Sequence, residues 1–183
     1  DSDYILLLDA DMKMKFVPNF NKDDFKKSLT KDLYFILQGT ENFQWNNARI
    51  VKNNIGFSYK CPTHEYIDCP RQHSKENIKK EVLFIQDIGD GGCKDDKFER
   101  DIRLLKGGLE KEPNNCRYLF YLGNSHKDIK KYKEAIPYYK RRIEAGGWNQ
   151  EVCMSYYYIG LCYKDMGMME HAISAWLDGY EYM

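Results

Sequence analysis

The second half of the chain aligns with itself without a gap, and that self-similarity constrains the fold more than any other feature. LFYLGNSHKDIKKYKEAIPYYKRRIEA lies over YYYIGLCYKDMGMMEHAISAWLDGYEY at an offset of 37 residues. This pairs Leu122-Gly123 with Ile159-Gly160, Ala135-Ile136 with Ala172-Ile173, and Tyr139 with Trp176. Small residues recur where two helices would touch, and large ones recur where a groove needs filling. A unit of this size cannot bury its apolar face alone, so neighbouring units must stack.

This pattern resembles the tetratricopeptide repeat, a helix-turn-helix unit of about 34 residues. The extra length falls in the connector AGGWNQE. Upstream, Phe98, Ile102, Leu105 and Leu109 step at helical spacing. That helix starts at a capping-box-like Asp96 and Glu99, ends before Pro113, and corresponds to the second helix of a preceding unit. Two and a half units are expected. Tyr121, Tyr139, Tyr157, Tyr163 and Trp176 are read as packing, with peptide binding in a concave groove as the other use of such aromatics. His126 and His171 are read as ordinary packed or exposed histidines, and Lys140, Arg141 and Arg142 as a solvated helix face.

The first half has a different rhythm. YILLL, LYFILQG, ARIVKN, FSYKCPTHEYI and VLFIQDI have strand length and breaker flanks. NKDDFKKSL reads as a short helix capped by Asn21 or Asp23, with Phe25 and Leu29 on one face. The expected architecture is α+β, with one part over residues 1–94 and an all-α repeat over 95–183.

Balanced charge, a formal net of +0 with 31% charged residues, gives no argument for a nucleic-acid partner. Six cysteines without a C-x-x-C pair suit reduced thiols in a cytoplasmic setting. No basic-then-apolar leader and no long apolar segment points to a membrane. The chain opens inside a domain-like pattern at Asp1, so preceding sequence is expected.

The chemistry-bearing motif is DYILLLDADM, an aliphatic run read as a buried strand that ends on Asp9 and Asp11. Two carboxylates one residue apart can share a hard divalent cation, Mn²⁺ or Mg²⁺, and that cation can neutralise a diphosphate. D-x-D also occurs by chance, as solvated turn formers do. CPTHEYIDCP adds His64 and Glu65 within a strand-like segment, where successive residues point to opposite faces. Glu65 is favoured as the cleft residue. Gly89, Gly91, Gly92 and Lys94 could meet a diphosphate before the next helix, although a plain turn is the simpler reading.

Together, DYILLLDADM, THEYIDCP and the run from Asp90 to Trp148 resemble the tetratricopeptide-containing glycosyltransferases of family 2. The resemblance implies a partial GT-A-like α/β region followed by the repeat, and, as in most of that family, an inverting transfer from a nucleotide-diphosphate sugar to an unidentified acceptor. It makes Asp9 and Asp11 the metal and donor ligands, Lys94 a donor contact, Glu65 the base and His64 its neighbour. A protein partner through the repeat groove is compatible with it. A GT-A domain also carries a nucleotide-binding half before D-x-D, so this stretch by itself is expected to show little or no activity. Three alternatives stay open. One is a non-enzymatic tetratricopeptide interaction module. Another is a haloacid-dehalogenase-like phosphatase, with Asp9 as nucleophile and GDGGCKDD as its last acidic motif. The third is a zinc site built from Cys61, His64, Cys69 and His73.

Overall fold

A computed structural model describes residues 2–89 and 96–183. The chain is α+β and divides into two units, Asp1–Lys60 with Glu65–Cys93 and Cys61–His64 with Lys94–Met183.

The first unit is a mixed sheet around LYFILQG, which forms β3 (Leu33–Gly39). On one side β3 pairs antiparallel with β4 (Gln44–Lys52), and β1 (Tyr4–Leu6) follows at the edge. On the other side β3 pairs in parallel with β7 (Lys75–Ile78) and then with β8 (Leu83–Asp87). Antiparallel to β8 lies β2 (Met12–Phe16), whose MKMKF alternation has strand period. Tyr34, Ile36, Ile50, Leu83 and Ile85 form the core. Phe25 and Leu29 pack on it from α1 (Lys22–Ser28). Asn21 caps α1 by accepting from the Asp23 and Asp24 amides at 3.0 and 3.2 Å.

Two expectations change here. The opening run is not buried: Ile5 and Leu6, on an edge strand paired on one side only, and Leu8 just beyond it are each about two-fifths exposed. FSYKCPTHEYI is not one strand. It is the hairpin β5 (Ser58–Lys60) and β6 (Tyr66–Asp68), with residues 61–65 at its tip. Cys61 (φ 75°) and His64 (φ 52°) adopt left-handed backbone that a strand cannot contain.

The second unit stacks α2 (Lys97–Lys111), α3 (Cys116–Asp128), α4 (Tyr132–Glu144), α5 (Asn149–Asp165) and α6 (Met169–Tyr180), each packing on the next. Its repeat is visible atom by atom. The Tyr139 ring closes on Gly123, where an added Cβ would lie 2.5 Å from Cε1, and the Trp176 ring closes on Gly160 in the same way. The turn positions match too: Lys130 (φ 59°) and Gly167 (φ 78°), one offset apart, are both left-handed. Ala135, Tyr139, Ile159, Cys162 and Ala175 fill the interior.

Two readings of this half are corrected. Asp96 occupies the N-cap position of α2 but its side chain makes no cap bond, so the capping box does not form. Arg142 is not solvated. It is 1% exposed, pairs with Glu151 through Nε, and donates from Nη1 to the Gly146 carbonyl at 2.7 Å. Its charge thereby satisfies the connector between units, whose glycines leave carbonyls that a helix cannot reach.

Candidate functional site

Strand register builds the site in the first unit. Because Leu6 pairs with Ile50, Arg49 falls just beyond the end of β1. The Leu7 amide donates to the Arg49 carbonyl at 2.8 Å, and Arg49 Nη1 donates to the Leu7 carbonyl at 3.2 Å. Arg49 Nε donates to Gln38 Oε1 at 2.6 Å, and Nη2 donates to Asp9 Oδ2 at 3.0 Å. A buried guanidinium thus fixes the Asp9 carboxylate while 60% of the Asp9 side chain stays open to solvent. Such an arrangement is how an outer partner orients a ligand group.

An open cleft of about 450 Å³ lies against this carboxylate, lined by Asp9, Asn47, Arg49, Tyr59, Glu65 and Tyr66 with Ile67. Asn47 and Arg49 both come from β4, whose register with β3 shifts between Tyr34 and Phe35 so that Arg49 is passed over in the ladder, as at a β-bulge. Tyr59 and Tyr66 come from the hairpin, 58% and 45% exposed, with Glu65 at the end of its tip. Asp9 and Glu65, far apart in sequence, therefore meet at one opening.

Other sequence-selected residues fall elsewhere. Asp11 sits in the turn before β2, its carbonyl accepting from the Ile88 amide at 3.0 Å, and it does not line the cleft. His64 takes its contacts from the helical unit. Its ring stacks on Tyr121 at 3.9 Å, its Nε2 lies 3.9 Å from Asp101 Oδ2, and its carbonyl accepts from Arg117 at 2.6 Å. Lys94, Gly91, Gly92 and the rest of residues 90–95, all but the two ends of the GDGGCKDD motif, lie outside the described residues. The zinc quartet is not assembled. Cys69 Sγ bonds the Ile55 carbonyl, His73 bonds the Arg71 carbonyl, and no group of three potential ligands gathers among the described residues.

Asp9 and Asp11 carry carboxylate oxygens, the ligand type that Mn²⁺ and Mg²⁺ take, but only Asp9 lines the cleft; Asp11 would have to approach a cation from the turn, and a diphosphate would have to complete the shell. Sequence reasoning missed Arg49, although its signal was present: a cation directly before the buried Ile50 and Val51 must find an acceptor if it too is buried.

No family model and no curated protein matches the chain. Solved structures of MamA MSR-1 and MamA AMB-1 are similar over 47% of this chain, at 23% identity and a TM-score of 0.43. The chain spans about half the length of each, 48% and 49%. At those scores the likeness carries no argument. The second unit is a tetratricopeptide-like repeat on its own internal geometry, the ring-over-glycine contacts and matched turns described above. No helix among the described residues is long and apolar enough to cross a membrane.

Proposed function

We propose that the first unit is the metal- and acceptor-side part of a glycosyltransferase that uses a nucleotide-diphosphate sugar, and that the tetratricopeptide-like unit is its scaffold. One observation carries this reading: Asp9, oriented by Arg49, and Glu65 line the same open cleft. Asp9 and Asp11 would hold Mn²⁺ or Mg²⁺, which stabilises negative charge on a departing diphosphate. Glu65 takes the proton from the acceptor hydroxyl as that oxygen attacks the anomeric carbon. Tyr59 and Tyr66 line the same opening, where aromatic side chains can pack against an apolar sugar face. The protein is a transferase in this account, and the donor and a hydroxyl acceptor are its partners.

The test is donor consumption by the full-length protein with Mn²⁺ across a panel of nucleotide-diphosphate sugars, reading nucleoside diphosphate released. Release that disappears in Asp9→Asn supports the reading. No release from any donor, together with Mn²⁺ binding that Asp9→Asn and Asp11→Asn leave unchanged, would remove it.

A second reading has its own support. The helical unit keeps repeat geometry at both glycine contacts, as a protein-interaction module requires whatever the cleft does. In that case the cleft is inert and binds no metal. The same Mn²⁺ titration separates the two.

A further inference from the structure

Residues 61–64 lie at the tip of a β-hairpin and belong to the helical unit, where Cys61, Thr63 and His64 make their contacts. Asp101 of α2 is 1% exposed, and a carboxylate buried that deeply is strongly destabilising unless partnered. Its partners are Thr63 Oγ1, donating at 3.0 Å, the His64 imidazole at 3.9 Å, and Arg100 at 3.5 Å. Two of these three come from the hairpin tip. Arg117 of α3 donates to the His64 carbonyl at 2.6 Å while lying 4.9 Å over the Tyr121 ring, on which His64 also stacks. Cys61 packs against Leu105, Tyr118 and Leu122, and burial pushes its thiol pKa up. The segment begins and ends in left-handed backbone, at Cys61 and His64, a conformation that persists only where surroundings over-determine it.

We propose that the helical unit binds its own Cys61–His64 segment as a built-in ligand, with Asp101 as anchor and Tyr121 as platform. The repeat groove at Tyr121 is then occupied from within. A small cavity of about 180 Å³ remains beside it, lined by His64, Lys97, Asp101, Tyr121, Lys127 and Tyr158 among others.

Thiol alkylation of the full-length protein, mapped by mass spectrometry, reads the seating directly. Cys61 is the reporter, and Cys162, fully buried in the same unit, is the reference. Asp101→Asn changes the socket and Thr63→Val changes the ligand. Each is expected to raise Cys61 reactivity about 10-fold with Cys162 unchanged, and the double variant to add little, because both break one contact. If Asp101→Asn loosens Cys162 as well, Thr63→Val, which leaves the helices intact, decides. Cys61 rates within two-fold of the parent in Thr63→Val would overturn the built-in ligand.

Discussion

Arg49 Nη2 donates to Asp9 Oδ2 at 3.0 Å, with the arginine side chain 7% exposed and the aspartate 60%. A buried cation therefore holds one oxygen of an open carboxylate, and the exposed remainder of Asp9 is what a ligand meets.

Arg49→Lys keeps the charge but not the fork that reaches Gln38, Leu7 and Asp9 together. Leaving Gln38 Oε1 unsatisfied in the interior should cost about 1–3 kcal/mol in urea unfolding. Mn²⁺ affinity should fall about 10–100-fold as Asp9 loses its orientation. Retained stability and retained affinity would show that the pair orients nothing.

The two glycine contacts should respond differently to alanine. Tyr139 is 0% exposed and cannot yield, so Gly123→Ala should destabilise by about 1–3 kcal/mol through overpacking. Trp176 is only half-buried, and although an added Cβ at Gly160 would start 2.1 Å from its Nε1, the indole can swing outward. Alanine also gains about 1 kcal/mol over glycine within a helix. Gly160→Ala should therefore cost less than Gly123→Ala, and thermal unfolding of the two variants in the reverse order would contradict this.

Lys130 occupies the left-handed turn that Gly167 fills one unit later. A side chain there costs about 1–2 kcal/mol. Lys130→Gly should raise the thermal midpoint by a few degrees, on the scale of about 2–4 °C per kcal/mol for a chain of this size. A lower midpoint would mean that the lysine side chain makes a compensating contact.

His126 gives the helical unit a pH dependence. It is 5% exposed and stacks on Tyr138, and neither ring nitrogen has a hydrogen-bond partner among the described residues. Burial first, and then Lys106, hold its pKa below 6.5 despite the opposing pull of Glu134. Above 6.5 the ring is neutral in both folded and unfolded chains and contributes no slope. As pH falls through 6.5 the unfolded chain takes up a proton that the folded one refuses, so stability drops. The urea midpoint should fall more between pH 7.5 and pH 5.5 in the parent than in His126→Phe. Equal falls would place the acid sensitivity elsewhere.

Legibility in the sequence followed physical locality. The repeat was readable because ring-over-glycine packing leaves paired signatures, Gly123 with Tyr139 and Gly160 with Trp176, at one offset. LYFILQG matched β3 to the residue, since a strand paired on both sides needs an uninterrupted apolar run. Arg142 was misread because its partners, the Gly146 carbonyl and Glu151, belong to the connector and to the following helix. The break at residues 61–65 was hidden because nothing in KCPTHEY announces left-handed backbone at Cys61 and His64, which their contacts in the helical unit accompany. Of the candidate site, Asp9 and Glu65 were legible as residue types. Their meeting in one cleft depends on β1–β4 register and on the hairpin, which only the folded chain supplies.

In the proposed transfer Glu65 removes the acceptor proton. Glu65→Gln keeps size and hydrogen-bonding capacity while removing basicity. Single-turnover transfer by the full-length protein, at saturating Mn²⁺ and donor, should fall by about 10²–10⁴-fold, with Mn²⁺ and donor affinities unchanged. Turnover within a few-fold of the parent would contradict the account and move the base to another residue.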